Sequence, residues 1–306
     1  MAVRPASDPH SRDAGASGPN LKLTQLREEI DAVDVALHEL LLRRASIVAE
    51  IRQAKSGGPA LRPGREAQIL RRLAKRHAPH AQGGIGLASI LRIWREMIDS
   101  LTMFQSAFSM GLVASSDGPA QSYSLRDVVR DHYGSFTPLS LYATAEQVLA
   151  AVQDGTVTLG VVPYPDTGES WWMTMPSHYR QLRIVARLPF FVPENHSVKT
   201  ADTGFVITAF SGEPSGLDRS LIVINGLAPE QGDDPAARLA KAWPEAVVVA
   251  ADKKNNSLLI DTPGFIEHPE AVSTKALRIL EVAPNTVHIL GNYAVPLYDD
   301  PQGNSR

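Results

Sequence analysis

The chain has 306 residues, of which 43% are hydrophobic and 21% charged, with a formal net charge of -3; that is room for two or three domains and too apolar a composition for a disordered chain. It has no cysteine, which excludes disulfides, zinc–thiolate sites, iron–sulfur clusters and cysteine nucleophiles. No apolar run approaches the ~20 residues that span a bilayer, and the first twenty residues lack the apolar core of a secretory leader, so a cytoplasmic protein is expected.

Residues 1–21 read as a disordered tail. Between Lys22 and Met110 there are 14 Lys and Arg against 9 Asp and Glu, so a basic module precedes an acidic remainder. This first module, 22–110, reads as all-helical. A first helix starts near Thr24, a candidate N-cap, with Glu28, Glu29 and Asp31 in its early turns. It runs without Gly or Pro to about Lys55, where Ser-Gly-Gly-Pro stops it. Such a helix is about 48 Å long at 1.5 Å per residue. Pro63 and Gly64 open a second, shorter helix, closed by the stretch from Ala78 to Gly84. A third runs from about Leu87 to Phe108. Two short helices cannot bury the whole apolar stripe of the long one, so pairing with a second copy of the chain is expected.

From about Gly111 the texture changes to short apolar runs, MGLVAS, TVTLGVVPY, LRIVARL, GFVITAF and SLIVING, with helical stretches between them. The pattern is that of α/β or α+β structure. The break GEPSGLDRS near residue 212 divides it into two units, 111–212 and 213–298, followed by a short tail, 299–306. The expected fold class is therefore multidomain, α plus α/β.

Several charged and polar residues fall on faces that should be apolar. Ile30, Val33, Leu37, Leu40, Leu41, Ile47, Val48 and Ile51 form the stripe of the first helix. Arg44 sits within it, seven residues from both Leu37 and Ile51, and Lys55 follows Ile51 by four. The two cations are about 16 Å apart along the helix and only ~20° apart around it, placed to hold a small dianion between long side chains. For one such cation, snorkelling at the stripe's edge is a sufficient account. Glu66, however, lies on the stripe of Ile69, Leu70 and Leu73, and Gln105 on that of Ile98 and Leu101. Four polar groups on three apolar faces point to a polar pocket with an anionic ligand, because buried polar groups need partners. Arg27, 17 residues before Arg44 and about 25 Å away along the helix, reaches the same ligand only from a second, antiparallel chain.

The segments LREEIDAVDVALHELLLRRASIVAEIRQAK, PALRPGREAQIL and IWREMIDSLTMFQ, in this order over about Leu23 to Phe108, resemble the all-helical chorismate mutase family, the AroQ class. The resemblance implies an intertwined helical homodimer that converts chorismate to prephenate by a Claisen rearrangement, with no metal and no cofactor. It implies that Arg44 and Lys55 bind the substrate carboxylates and that Arg27 reaches in from the partner chain. Lys55 and Gln105 would hydrogen-bond the ether oxygen, and Glu66 would accept from the ring hydroxyl. Arg65 matches a further site position, and a solvated arginine at a helix start explains it equally well. Gln105 in place of a Glu needs no proton to donate, which implies activity without an acidic optimum. Two positions depart from the family pattern. Arg62 stands where an Asp is usual and Leu101 where a Ser is frequent, and neighbouring Ser100 points about 100° away.

Residues 111–298 resemble a reduced prephenate dehydratase followed by an ACT-like regulatory unit, as in bifunctional mutase–dehydratase proteins. After VLAAVQDGTVTLGVVPY the expected Glu-Asn-Ser run is missing. TGFVIT keeps Thr203 but has Gly204 where an Arg is expected, and AADKKNNS replaces the effector-binding motif. The resemblance therefore implies a non-catalytic module. Two other functions compete with a simple mutase: a bifunctional enzyme that retains dehydratase activity, and a non-catalytic ligand-sensing dimer module. Other signals are bland. Asp261 to Gly264 reads as a strand-end turn without a P-loop, Gly83 to Gly86 as a helix–helix loop, and His77 and His80 as helix-end residues without metal spacing. Trp171 and Trp172 read as core. Nucleic-acid binding is not expected, because the telling cations lie on apolar faces instead of a solvated stripe.

Overall fold

A computed structural model describes residues 17–54, 59–80, 84–114, 124–165, 170–193, 200–227, 235–272, 277–278 and 282–299. No helix among them is long and apolar enough to cross a membrane. The chain divides into two compact units, Met1–Gly57 and Gly58–Arg306.

The described residues of the first unit form one helix, α1 (Ser17–Ala54). It starts before the expected Thr24 cap. Thr24 Oγ1 donates to the Asn20 carbonyl at 3.0 Å, so this residue back-bonds inside the helix instead of capping it. Of the anticipated stripe, Ile30, Val33, Leu37, Leu40, Leu41, Ile47 and Ile51 are exposed in the single chain and Val48 is half-buried.

The second unit starts with α2 (Pro63–His77) and α3 (Leu87–Gln105), joined through a short 3-10 turn at 78–80. There follow β1 (Met110–Val113), α4 (Leu125–Tyr133), β2 (Leu139–Tyr142), α5 (Ala145–Gln153), β3 (Leu159–Pro163), α6 (Trp171–His178), β4 (Arg183–Leu188), β5 (Phe191–Val192) and β6 (Gly204–Thr208). The chain continues through β7 (Asp218–Ile224), α7 (Pro235–Ala242), β8 (Val247–Asp252), β9 (Ser257–Pro263), β10 (Val287–Ala294) and β11 (Leu297–Tyr298). All five apolar runs singled out in the sequence contribute strands.

Among the described residues, nine strands form one sheet in the order β2-β1-β3-β6-β4-β10-β7-β9-β8. The pairs β2–β1, β1–β3 and β4–β10 are parallel and the others antiparallel. Strand alternation sends successive side chains to opposite faces. Val162, Phe205 and Ile207 meet α5 and α6 through Val148, Leu149, Trp171 and Trp172. Leu159, Val161 and Val206 meet α4 through Val128, Val129 and Tyr133 on the other face. Farther along the sheet, Ile222, Ile224 and Ile260 pack with Leu239 and Trp243 near α7. Both Trp171 and Trp172 are thus core, as expected. The strand order β10-β7-β9-β8, with α7 between β7 and β8, is that of a ferredoxin-like unit.

Two boundaries expected from the sequence are not breaks in this unit. The first is near residue 212, where the sheet is continuous. β10 joins β4 with Gly291 opposite Ile184. Gly291 has φ +147°, and a Cβ there would lie 2.2 Å from the Ile184 carbonyl oxygen, so only glycine lets the two backbones meet. The second is near residue 110, because α2 is pinned to the sheet. Arg71 donates to the Ser215 hydroxyl at 2.9 Å and to the Leu217 and Val295 carbonyls at 2.8 Å. Apolar side chains reinforce this, with Ala67, Leu70 and Leu91 packed on Phe190.

Gly291→Ala is expected to destabilise the second unit by about 2 kcal/mol or more, from strain at a left-handed position plus backbone overlap. Urea denaturation of the full chain checks this, and an unchanged midpoint would contradict the close approach.

Candidate functional site

The site is best built from α2. Its N-terminus is held by Glu213 from the β6–β7 connection. That carboxylate accepts from the Arg65 backbone N–H at 3.1 Å and pairs with the Arg62 guanidinium, a favourable place for negative charge at the start of a helix dipole. Gly64 packs under it, with no room for a Cβ against the Glu213 carbonyl. Arg62, the departure from the family's Asp, therefore has a structural partner. Arg65 is exposed, and its guanidinium donates to Gln68 Oε1 at 3.3 Å.

One residue on, Glu66 faces inward and is 4% exposed. Its partner is Arg95 of α3, whose Nη1 donates to Glu66 Oε2 at 3.2 Å. Both side chains are buried. Burial raises the Glu66 carboxyl, an effect that the Arg95 charge only partly opposes. A buried pair of this kind adds little net stability, yet removing one partner costs about 3–5 kcal/mol because the other charge is left stranded. The Arg95 guanidinium also lies over the Phe190 ring, 5.3 Å from its centroid. Phe190 is fixed in turn by the ribbon of β5 and β11, where Leu297 N–H donates to the Phe190 carbonyl at 2.6 Å.

Asp99, one turn after Arg95, is buried too, and neither carboxyl oxygen has a hydrogen-bond partner among the described residues. Burial first, and then the Glu66 charge, push this carboxyl up to about 8. The Tyr133 hydroxyl of α4 is likewise buried, with no hydrogen-bond partner among the described residues. The cluster thus holds Arg95 between an acid that it pairs and an acid kept neutral by its surroundings.

Arg27 and Arg44 lie on α1, in the first unit, with Arg27 exposed and Arg44 partly buried. Lys55 lies outside the described residues. Arg65 and Glu66 are adjacent on α2 but point apart, one to solvent and one to the interior. Gln105 is the last residue of α3 and half-buried. Arg95 and Asp99 were missed. The signal was present, since Arg95 follows Leu91 by four and precedes Ile98 by three, the same anomaly that singled out Glu66. Read as an i, i+4 pair, Arg95 and Asp99 pass for a solvated salt bridge.

Residues 26–106 match the family model for chorismate mutase type II. This stretch, about a quarter of the chain, is similar to that family. Its matched span holds Arg27, Arg44, Lys55, Arg65, Glu66 and Gln105. No curated protein matches the chain. Among solved structures, a prephenate dehydratase from Streptococcus mutans is 19% identical, with a TM-score of 0.37 over 62% of this chain and 99% of that one. A prephenate dehydratase from Arthrobacter aurescens in complex with L-Phe is 11% identical, with a TM-score of 0.39 over 60% and 89%. GqqA, described as a novel type of quorum quenching acylase, is 18% identical, with a TM-score of 0.37 over 61% and 94%. Likenesses this weak decide neither fold nor activity for the second half.

The Asp99 carboxyl titrates near 8 when folded and near 4 when unfolded. Its contribution to stability is complete below about pH 4 and is lost as pH rises through about 8. Asp99→Asn, which stays neutral, is expected to gain about 1 kcal/mol or more on the native chain between about pH 5 and about pH 9. Urea denaturation at the two pH values measures this gain, and a constant difference would show that the carboxyl ionises normally.

Proposed function

We propose that this protein is a cytoplasmic chorismate mutase that works as a homodimer and rearranges chorismate to prephenate, the step that leads to phenylalanine and tyrosine. The match of residues 26–106 to the chorismate mutase type II family, with every cation of the expected set inside it, carries this reading.

The chemistry suits the inventory. A pericyclic rearrangement needs no nucleophile and no external redox partner; it needs a folded conformer and charge already aimed at the ether oxygen, where negative charge builds as the C–O bond breaks. Lys55 and Gln105 serve that oxygen, Arg44 and Lys55 hold the carboxylates, and Arg65 lies at the edge. Arg27 comes from the partner chain, since about 25 Å of helix separates it from Arg44. The exposed stripe of α1 is the surface that the second copy covers. Glu66 accepts from the substrate hydroxyl in addition to Arg95.

We read the remainder as a non-catalytic module with an ACT-like end. Two observations support this. A side chain at Gly204 would meet the Val162 carbonyl oxygen at 2.7 Å and the Leu125 side chain at 3.2 Å, so the arginine expected of a dehydratase has no room. The Thr203 hydroxyl is turned to the Thr200 carbonyl at 2.6 Å. A second reading, a non-catalytic sensor of chorismate or prephenate, is favoured by one observation: in the single chain Arg95 already satisfies Glu66.

Purified protein is expected to consume chorismate, followed by loss of its absorbance, without forming phenylpyruvate. Arg44→Ala and Lys55→Ala are each expected to lower kcat by ~10³. Chorismate bound without turnover would decide for the sensor. Sedimentation is expected to show a dimer, reduced to a monomer with loss of turnover by the double substitution Ile30→Lys and Leu37→Lys. A native monomer that turns over at full rate would refute the contribution of Arg27 from the partner.

A further inference from the structure

A cavity of about 350 Å³ lies between α2, α3, α4 and the segment that follows β4. Its size is at the small end of ligand pockets, which run from about 300 to 1,000 Å³. Leu70, Leu91, Val128 and Phe190 give it an apolar interior. Its polar lining is Arg92, Arg95, Asp131 and His132. Arg92 and Asp131 form an ion pair, with the arginine mostly exposed. Arg95 is buried and donates Nη1 to Glu66, a residue that is not part of the lining. With Glu66 counted, the two guanidiniums face two carboxylates, so what the cavity offers an acceptor is guanidinium N–H groups and not net charge. The His132 ring, buried and close to Arg95, is held neutral, well below the usual histidine range, by burial first and that guanidinium second. A neutral ring adds no charge but can offer an N–H. All of these residues belong to the second unit, and none comes from α1.

We propose that this cavity binds a small ring-bearing carboxylate, its ring against Leu70, Leu91, Val128 and Phe190 and its carboxylate at Arg95. The apolar walls accept a flat or alicyclic ring, and a guanidinium donor favours a charged acceptor over its neutral analogue, because charge-assisted hydrogen bonds are the stronger ones. Arg92 at the exposed side adds a weaker, solvent-screened attraction. Binding, not turnover, measures occupancy of this cavity directly.

The test is calorimetric titration of the full chain with benzoate and with benzamide, an uncharged molecule of nearly the same shape. Benzoate is expected to bind saturably at one site per chain, about tenfold or more tighter than benzamide, as a hydrogen bond to a charged group implies. Ala88 lies exposed on the cavity wall; Ala88→Trp fills the opening without entering the core and is expected to weaken benzoate at least about tenfold by steric exclusion. Arg92→Gln, at a solvent-exposed position, is expected to weaken it about two- to fivefold. Circular dichroism confirms that both variants are folded, and if Ala88→Trp is not, Arg92→Gln carries the test. No saturable benzoate binding overturns the proposal. Equal affinity for benzoate and benzamide overturns the carboxylate assignment. Benzoate binding that is unchanged in every folded variant overturns the location.

Discussion

The buried pair of Glu66 and Arg95 is the constraint around which this end of the second unit is organised. Neither charge can be left in the interior without the other, so α2 and α3 are held in register, side by side, with Glu66 on one and Arg95 on the other. Arg95 then fixes what surrounds it. Phe190 lies against its guanidinium, Asp99 is kept uncharged nearby, and His132 is kept neutral. An anion-selective cavity and an acid titrating in the neutral range are consequences of placing one arginine in an apolar setting.

Much of this was legible in the sequence because apolar periodicity dominates local structure. The three helices and the strands of the five apolar runs follow directly from spacing, turn residues and breakers. Glu66 was legible as an anomaly, a carboxylate that interrupts an apolar stripe. What the spacing could not give was the partner. Arg95 occupies an equally anomalous place on α3, but a charged residue one turn from an opposite charge reads as surface, and only packing shows that both are inside. The start of α1 was missed for a local reason: a threonine reads as a cap whether its hydroxyl serves the backbone ahead of it or, as here, the one behind.

The continuity of the sheet was not legible either. A run of Gly, Pro and Ser near residue 212 has the composition of a linker, and the residues that contradict it lie some eighty positions away, at Gly291. Close approach of two backbones leaves little trace in sequence except a glycine without a turn. Similarly, the run from Ser211 to Leu217 looks like a spacer but supplies Glu213, Pro214 and Ser215 to α2 through hydrogen bonds. Its polarity reflects engagement with a helix end as much as contact with water.

Arg71 gives this arrangement a mechanical meaning. Its guanidinium holds the carbonyls of Leu217 and Val295, which flank β7 and β10, while its own helix carries Glu66 less than two turns away. Lifting α2 from the sheet would strip several hydrogen bonds from one arginine at once, so the motion has a threshold instead of a graded compliance. Release of α2 would therefore expose the Glu66 carboxylate, the Arg95 guanidinium and the sheet face together.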